Sequence, residues 1–69
     1  FTVSLYLLAD TRVQLTLFDA LGKQVYTENA MATNGNWRHA MELEGLAKGL
    51  YTLNIDLEGR RFARRLVVQ

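Results

Sequence analysis

The sequence lacks several residue types on which whole classes of small protein depend. Its 69 residues include no cysteine and no proline, and only one serine and one histidine. Without cysteine no disulfide can stabilise the fold, although this does not fix the compartment, because disulfides are permitted but not required outside the cytosol. A chain of this length forms one domain at most, and it buries only about 60% of the surface that its unfolded state exposes. Its stability must therefore come from a modest apolar core.

The chain also has no long apolar segment. The longest uncharged stretch near its start is residues 1–9, about half of the roughly 18 to 20 residues that a membrane helix requires. The same stretch lacks the basic leader and the small-residue cleavage site of a secretory signal. Because the chain begins with Phe1 rather than Met, we expect it to be the C-terminal piece of a longer protein.

No residue pattern points to catalysis or to metal binding. His39 lies in a strand-like segment and has no second histidine or cysteine with which to share a metal, which favours a structural role. Ser4 does not stand in a G-x-S-x-G pattern, and the glycines form no phosphate-binding loop. Glu42 and Glu44 have the spacing of neighbours on one strand face, which favours a solvated edge over an acid/base pair. We therefore predict no catalytic residue, no metal site and no cofactor.

What the sequence does have is apolar residues that alternate with polar ones. Val13, Leu15 and Leu17 alternate with Gln14 and Thr16, which is the period of a β-strand with one buried face. Similar runs predict six strands, at residues 1–8, 12–18, 23–29, 36–43, 50–57 and 60–68. A single open sheet would leave one apolar face exposed in a chain that is 49% hydrophobic. The pattern therefore favours an antiparallel sandwich or barrel.

Turn residues separate the predicted strands. Residues 19–22 (Asp-Ala-Leu-Gly) predict a type I turn and a hairpin between the second and third strands. Asn34 with Gly35, and Glu58 with Gly59, are hairpin signals between later strands. The predicted core consists of Val13, Leu15, Leu17, Val25, Met41, Leu43, Leu46, Tyr51, Leu53, Ile55 and Leu66.

The end of the chain is basic and then apolar. Four arginines stand within six positions: Arg60, Arg61, Arg64 and Arg65. On a strand these arginines divide between two faces, and the net charge of the chain is only +1, so we predict no nucleic-acid partner. The segment is better explained as a closing edge strand whose charges prevent unwanted pairing.

Three segments in this order, LTLFDALGKQVY, LEGLAKGLYTLNI and RRLVVQ, resemble the C-terminal sorting domain of the type IX (Por) secretion system of Bacteroidetes. The first matches an aromatic-Asp, Gly, basic and apolar pattern at Phe18, Asp19, Gly22, Lys23 and Val25. The second matches Leu-x-x-Leu-x-x-Gly-x-Tyr at Leu43, Leu46, Gly49 and Tyr51. The third matches a basic residue followed by apolar ones at Arg65, Leu66, Val67 and Val68, with arginine where lysine is usual. The resemblance covers residues 1–69.

The resemblance implies an all-β fold, a small immunoglobulin-like antiparallel β-sandwich of about six to seven strands. It implies that residues 1–69 are a single C-terminal sorting domain at the end of a longer secreted protein. Such a domain directs its parent across the outer membrane through the type IX system, often before sortase cleavage and surface attachment. It is not an enzyme, although parents include proteases. The implied partners are the outer-membrane translocon, a shuttle protein and a sortase. The parent is exported through the periplasm to the outer-membrane surface or the extracellular space.

The resemblance also implies two groups of functional residues. The secretion machinery is expected to recognise Arg65, Leu66, Val67, Val68 and Gln69. The turn and the corner of the family pattern are Asp19, Gly22, Lys23, Gly49 and Tyr51. A closing edge strand of this kind could also pair with a second copy as a homodimer.

Two other functions stay open at the level of sequence. The first is an accessory binding module of a secreted enzyme or adhesin, for carbohydrate or for a protein. That function requires two or three aromatic residues exposed on one face. The second is a spacer that stabilises its parent without affecting export.

Overall fold

The computed structural model describes residues 2–41 and 45–69, and all of its regular elements are β-strands. The six strands are β1 (Thr2–Leu7), β2 (Thr11–Phe18), β3 (Gln24–Ala32), β4 (Gly35–Ala40), β5 (Gly49–Leu57) and β6 (Arg60–Val68). Each lies within a few residues of a predicted strand. Within the described residues, no helix has the length and apolar character needed to cross a membrane.

The strands form two antiparallel sheets that pack face to face. One sheet contains β1 and β4, and the other has the order β3-β2-β5-β6. This arrangement matches strands B and E of an immunoglobulin domain opposite strands C′, C, F and G. The prediction of an immunoglobulin-like antiparallel sandwich is thus confirmed, as are the β2–β3 and β5–β6 hairpins.

The core forms where the alternating apolar residues of the two sheets face each other. Leu15, Leu17 and Leu53 are fully buried because they lie on the two central strands of the larger sheet. Seven of the predicted core residues are buried: Val13, Leu15, Leu17, Met41, Tyr51, Leu53 and Ile55. Val25, Leu46 and Leu66 are half-buried against that core, and Leu43 lies outside the described residues.

The smaller sheet supplies core residues that the prediction omitted. Val3 and Leu7 of β1 and Trp37 of β4 are buried, and Ala32 at the end of β3 joins them. Their absence from the predicted core has a physical reason. The two-stranded β1–β4 sheet has a buried face only because it packs on the four-stranded sheet. The alternation of residues within one strand does not show which of its two faces will be covered.

The expected hairpin at Asn34 and Gly35 is wrong. β3 and β4 do not pair, because the chain crosses here from one sheet to the other and β4 pairs with β1. A two-residue type I′ hairpin needs positive φ at both central residues, and only Gly35 has it, with φ of 94°. The backbone N–H of Asn34 instead donates to the carboxylate of Asp10 at 2.8 Å. That bond ties the crossing to the β1–β2 connection. The strand expected to reach residue 43 ends at Ala40, and residues 42–44 lie outside the described part of the chain.

A polar cluster connects the two sheets at the β3–β4 side. The carboxylate of Glu28 on β3 lies 2.7 Å from Nε2 of His39 on β4 and also accepts a hydrogen bond from the hydroxyl of Tyr26. The ring of His39 stacks on Trp37 with centroids 5.3 Å apart. The bond from Tyr26 lowers the pKa of Glu28 below its ordinary value, partial burial opposes that shift, and His39 acts with Tyr26. His39 therefore takes part in the packing of the two sheets through its contacts with Trp37 and Glu28.

Replacing Leu15 with aspartate should unfold the domain. Leu15 is completely buried, and an unpaired buried charge costs several kcal/mol, about as much as the whole stability of a core this small. Circular dichroism during thermal melting is the measurement. The matched control is Leu21→Asp, the same change at a side chain that is 94% exposed. A Leu15→Asp melt identical to that of the wild type would contradict the core assignment.

The stabilising contribution of Glu28 should depend on pH. Because the folded state lowers the Glu28 pKa from its ordinary 4.5, the carboxylate stabilises the fold above that value and loses this effect as the pH falls through the lowered one. Urea unfolding should therefore show wild type more stable than Glu28→Gln at about pH 6, with the difference shrinking towards about pH 3. Glu58→Gln, in an exposed turn, is the control. A difference that does not change with pH would refute the role of the charged cluster.

Candidate functional site

The three motif segments meet at one end of the four-stranded sheet. The register places Phe18 opposite Gln24 on β3 and opposite Thr52 on β5, and Thr52 opposite Arg65 on β6. These four residues form a continuous row across the sheet. The Asp19 turn, the start of β5 and the end of β6 all lie on the same side of this row. Segments separated by up to about fifty positions in the chain therefore build one surface region.

The first motif is a hydrogen-bonded turn. The Asp19 carboxylate accepts from the backbone N–H of Leu21 and of Lys23, each at 2.9 Å. The Gly22 N–H donates to the Asp19 carbonyl at 3.0 Å, and Gly22 has φ of 84°, which a side chain would strain. The predicted turn roles of Asp19 and Gly22 agree with this geometry. Lys23 is exposed and presents its charge beside the turn.

The β2–β3 ladder contains a bulge next to this turn, where the register shifts between Leu17 and Phe18. A bulge leaves one residue unpaired and re-aims its side chain. Val25 is the residue left unpaired in β3, and it packs half-buried against the core. The apolar position of the first motif therefore supports the core from the end of the sheet.

The second motif is a tyrosine corner. The ring of Tyr51 is buried, and its hydroxyl donates to the backbone carbonyl of Ala47, four residues upstream, at 2.6 Å. The same device occurs at the start of strand F in immunoglobulin domains. Gly49 has φ of 150°, which favours glycine where the chain enters β5. Gly49 and Tyr51 thus fix how the corner joins the strand, and Leu46 packs half-buried beneath it.

The third motif is divided between the two faces of β6. Leu66 lies opposite Tyr51, and Val68 lies opposite Gly49; both are half-buried against the core. Arg65 and Val67 point to the outer face, where Val67 is 60% exposed. Gln69 follows the strand and is exposed. Of the five residues predicted for recognition, three are accessible as side chains and two contribute to the core.

The backbone of β6 is the second accessible feature of this end. β6 is an edge strand that pairs only with β5 among the described strands, so its other side can accept an added strand. Its arginines do not form a single patch. Arg61 makes an ion pair with Asp56 at 2.5 Å on the outer face, whereas Arg64 faces the inner side opposite Leu53. The predicted division of the arginines between two faces is confirmed.

Two other kinds of binding site, a metal site and an aromatic platform for sugars, are not found among the described residues. Within residues 2–41 and 45–69 no group of three His, Cys, Asp or Glu side chains could hold a metal ion. Tyr6 is the one large aromatic that is mostly exposed among the described residues, at 71%. A stacking platform for sugars needs two or three such rings on one face, so the feature that an accessory binding module requires does not appear in the described part of the chain.

Sequence reasoning missed two contacts of functional interest. Leu50 lies opposite Val67 on the outer face of the sheet, and Glu28 meets His39 across the two sheets. A signal for Leu50 was present, because it directly precedes inward-facing Tyr51 and must therefore face outward. No local pattern in the sequence predicts the Glu28–His39 contact, because it joins strands of different sheets.

Removing the Tyr51 hydroxyl should weaken the corner without emptying the core. Tyr51→Phe keeps the buried ring and deletes the bond to Ala47, so the free energy of unfolding should fall by about 1 kcal/mol. Urea denaturation measures this. Tyr6→Phe is the control. Because that ring is largely exposed, the substitution should leave the stability of the domain unchanged. Equal effects of the two substitutions would show that the corner bond does not stabilise the fold.

The chain matches a known protein family over its whole length. The family model described as the secretion system C-terminal sorting domain matches residues 1–69, the whole chain. No curated protein and no solved structure matches the chain significantly. Domains of this family are signals for type IX secretion, which leads to the cell surface or the extracellular space. They interact with the type IX machinery and are not themselves catalytic. The chain therefore belongs to the secretion system C-terminal sorting domain family and is a C-terminal type IX sorting signal.

Proposed function

We propose that residues 1–69 act as a single sorting domain at the end of a longer secreted protein, which could itself be an enzyme such as a protease. The parent crosses the inner membrane by its own N-terminal signal peptide. The domain then directs it from the periplasm through the outer-membrane translocon, with the help of a shuttle protein. In many proteins of this kind a sortase then removes the domain at the cell surface and attaches the parent there. Membership of the sorting-domain family supports this route.

We propose further that the machinery recognises residues 65–69 in their folded context. The observation that carries this proposal is the convergence of the three motifs at one end of the larger sheet. The Asp19 turn and the Tyr51 corner hold this end by hydrogen bonds between their side chains and the backbone. Residues 65–68 are therefore presented within a hydrogen-bonded strand, which lowers the conformational entropy lost on binding.

The mode of recognition that fits an edge strand is strand addition. A partner strand along β6 would gain main-chain hydrogen bonds, and pockets for alternate side chains would supply specificity. Arg65 and Val67 offer those alternate side chains on the outer face. The same edge offers a pairing site to a second copy. A mass that doubles with concentration in light scattering would reveal such a homodimer.

Deletion of residues 65–69 should abolish export of a reporter fused to the domain in a cell with a type IX system. The reporter should then accumulate in the periplasm rather than in the medium or on the surface. Export equal to that of the full domain would contradict recognition of these residues.

Stability needs its own control, because Leu66 and Val68 pack against the core. The purified truncated domain is therefore melted beside the wild type. Leu15→Asp, which should unfold the domain, shows what a purely structural failure does to export. If the truncated domain is unfolded and behaves like Leu15→Asp, the loss of export reflects folding, and the recognition of residues 65–69 is not supported.

A further inference from the structure

The outer face of the four-stranded sheet is polar along most of its length and apolar at one end. Apart from Met31, Ala63 and the buried Thr16, this longer part carries exposed or half-buried polar residues: Arg12, Gln14, Thr27, Asn29, Thr52, Asn54, Asp56 and Arg61. Such polarity is usual for the solvated face of an antiparallel sheet. At the end where the three motifs meet, the face instead carries Phe18, Leu50 and Val67 beside Arg65. We refer to these four residues as the terminal patch.

The strand register makes the terminal patch continuous. Leu50 and Val67 are directly opposite each other on β5 and β6, with 45% and 60% of their surfaces exposed. Phe18 stands in the next row, which it shares with Thr52 and Arg65. Its half-buried ring is a diagonal neighbour of Leu50, within reach of an aromatic side chain. Three apolar side chains from three adjacent strands thus form one exposed surface.

This grouping differs from the scattered exposure of single apolar residues, which is normal for a protein surface. Met31 provides the comparison within the same face. It is 58% exposed on β3, but its cross-strand partner is Arg12. It also lies seven positions along the strand from Gln24, about 20 Å from the terminal row. Contiguous apolar exposure rimmed by polar residues is typical of protein–protein contact sites.

The charge beside the patch indicates what kind of surface would cover it. Arg61 and Arg65 both point outward from β6, but Arg61 is paired with Asp56. Arg65 stands opposite uncharged Thr52 and makes no ion pair within residues 2–41 and 45–69. An apolar surface bordered by a carboxylate would complement both the apolar residues and the unpaired guanidinium.

We infer that the terminal patch is the docking surface for a component of the type IX machinery whose contact surface is apolar and bordered by acidic groups. This inference rests on the proposed function and deepens it. Recognition is not confined to the linear end of the chain, because Leu50 of β5 and Phe18 of β2 belong to the same surface. Within residues 65–69, the machinery contacts Arg65 and Val67, while Leu66 and Val68 pack the strand against the core.

The decisive variant lies outside the last five residues. Leu50→Thr removes an apolar contact and keeps a residue that suits a strand. Its matched control is Met31→Thr, on the same face of the same sheet. We expect reporter export with Leu50→Thr to fall to about a tenth of wild type or less, as for the loss of an interface hot spot. Met31→Thr should export normally, and both purified domains should melt close to wild type.

A second pair of variants tests the charge. Arg65→Gln removes the unpaired guanidinium, and Arg61→Gln is the control on the same face of β6. Export should fall with Arg65→Gln, remain with Arg61→Gln and return with Arg65→Lys, which keeps the positive charge. Val67→Thr, which is close to isosteric, tests the apolar part of β6 without disturbing the inner face. It should lower export as Leu50→Thr does.

The outcomes separate the patch from the sorting function itself. If the unmodified fusion is not exported, the proposed function is wrong. If it is exported and Leu50→Thr is exported equally well, the patch is wrong while the sorting function stands. Equal losses with Leu50→Thr and Met31→Thr would also overturn the patch, because the effect would not be local. If Leu50→Thr proves unfolded, Val67→Thr and Arg65→Gln decide in its place, and normal export of both folded variants overturns the inference.

Discussion

The register of β5 between β2 and β6 is the constraint on which the rest of the structure depends. β5 pairs with both neighbours in a regular ladder, and because strand side chains alternate, a slip of one residue would exchange its inner and outer faces. Leu53 and Ile55 would then leave the core, and Leu50 and Thr52 would enter it. The Tyr51 corner fixes the start of β5 through a buried ring and a hydroxyl bonded to Ala47, and Gly49 allows the chain to enter the strand there. A small core without disulfides gains its uniqueness from such local devices as much as from its apolar area.

The same register explains how a closing strand can serve both stability and the proposed recognition. Alternation assigns Leu66 and Val68 to the interior and Arg65 and Val67 to the surface. A strand that only closed a core would need no exposed apolar residue, and a flexible tail that served only as a label would need no buried one. The folded end of the sheet combines the two, and it adds side chains from β2 and β5 that are distant in sequence. The proposed recognition site is therefore a surface of a folded domain as well as a segment of chain.

The two sheets are joined by apolar contacts at their centre and by polar contacts at their margin. Apolar contact supplies the centre, while the Glu28 cluster with His39 and Tyr26 links the β3–β4 side through charge and hydrogen bonds. Asp10 holds the crossing at Asn34. These polar contacts help to fix the orientation of the two-stranded sheet on the larger one, because the smaller sheet has few apolar residues of its own. The lone histidine, His39, takes part in this packing through its contacts with Glu28 and Trp37.

The sequence by itself determined the strands, the Asp19 turn, most of the core and the family of this protein. All of these depend on local order along the chain: period-two alternation, turn chemistry, and motifs at short spacing. The tertiary structure decided the pairings beyond the two hairpins, which are β2 with β5 and β1 with β4. With them it decided the crossing at Asn34 and Gly35, the burial of Val3 and Trp37, the contact of Glu28 with His39, and the meeting of Leu50 with Val67. Alternation shows that a strand has two faces, but it contains no information about the partner that will cover either one. That choice depends on the free energy of packing the whole chain, because only the complete sandwich buries both sheets at once.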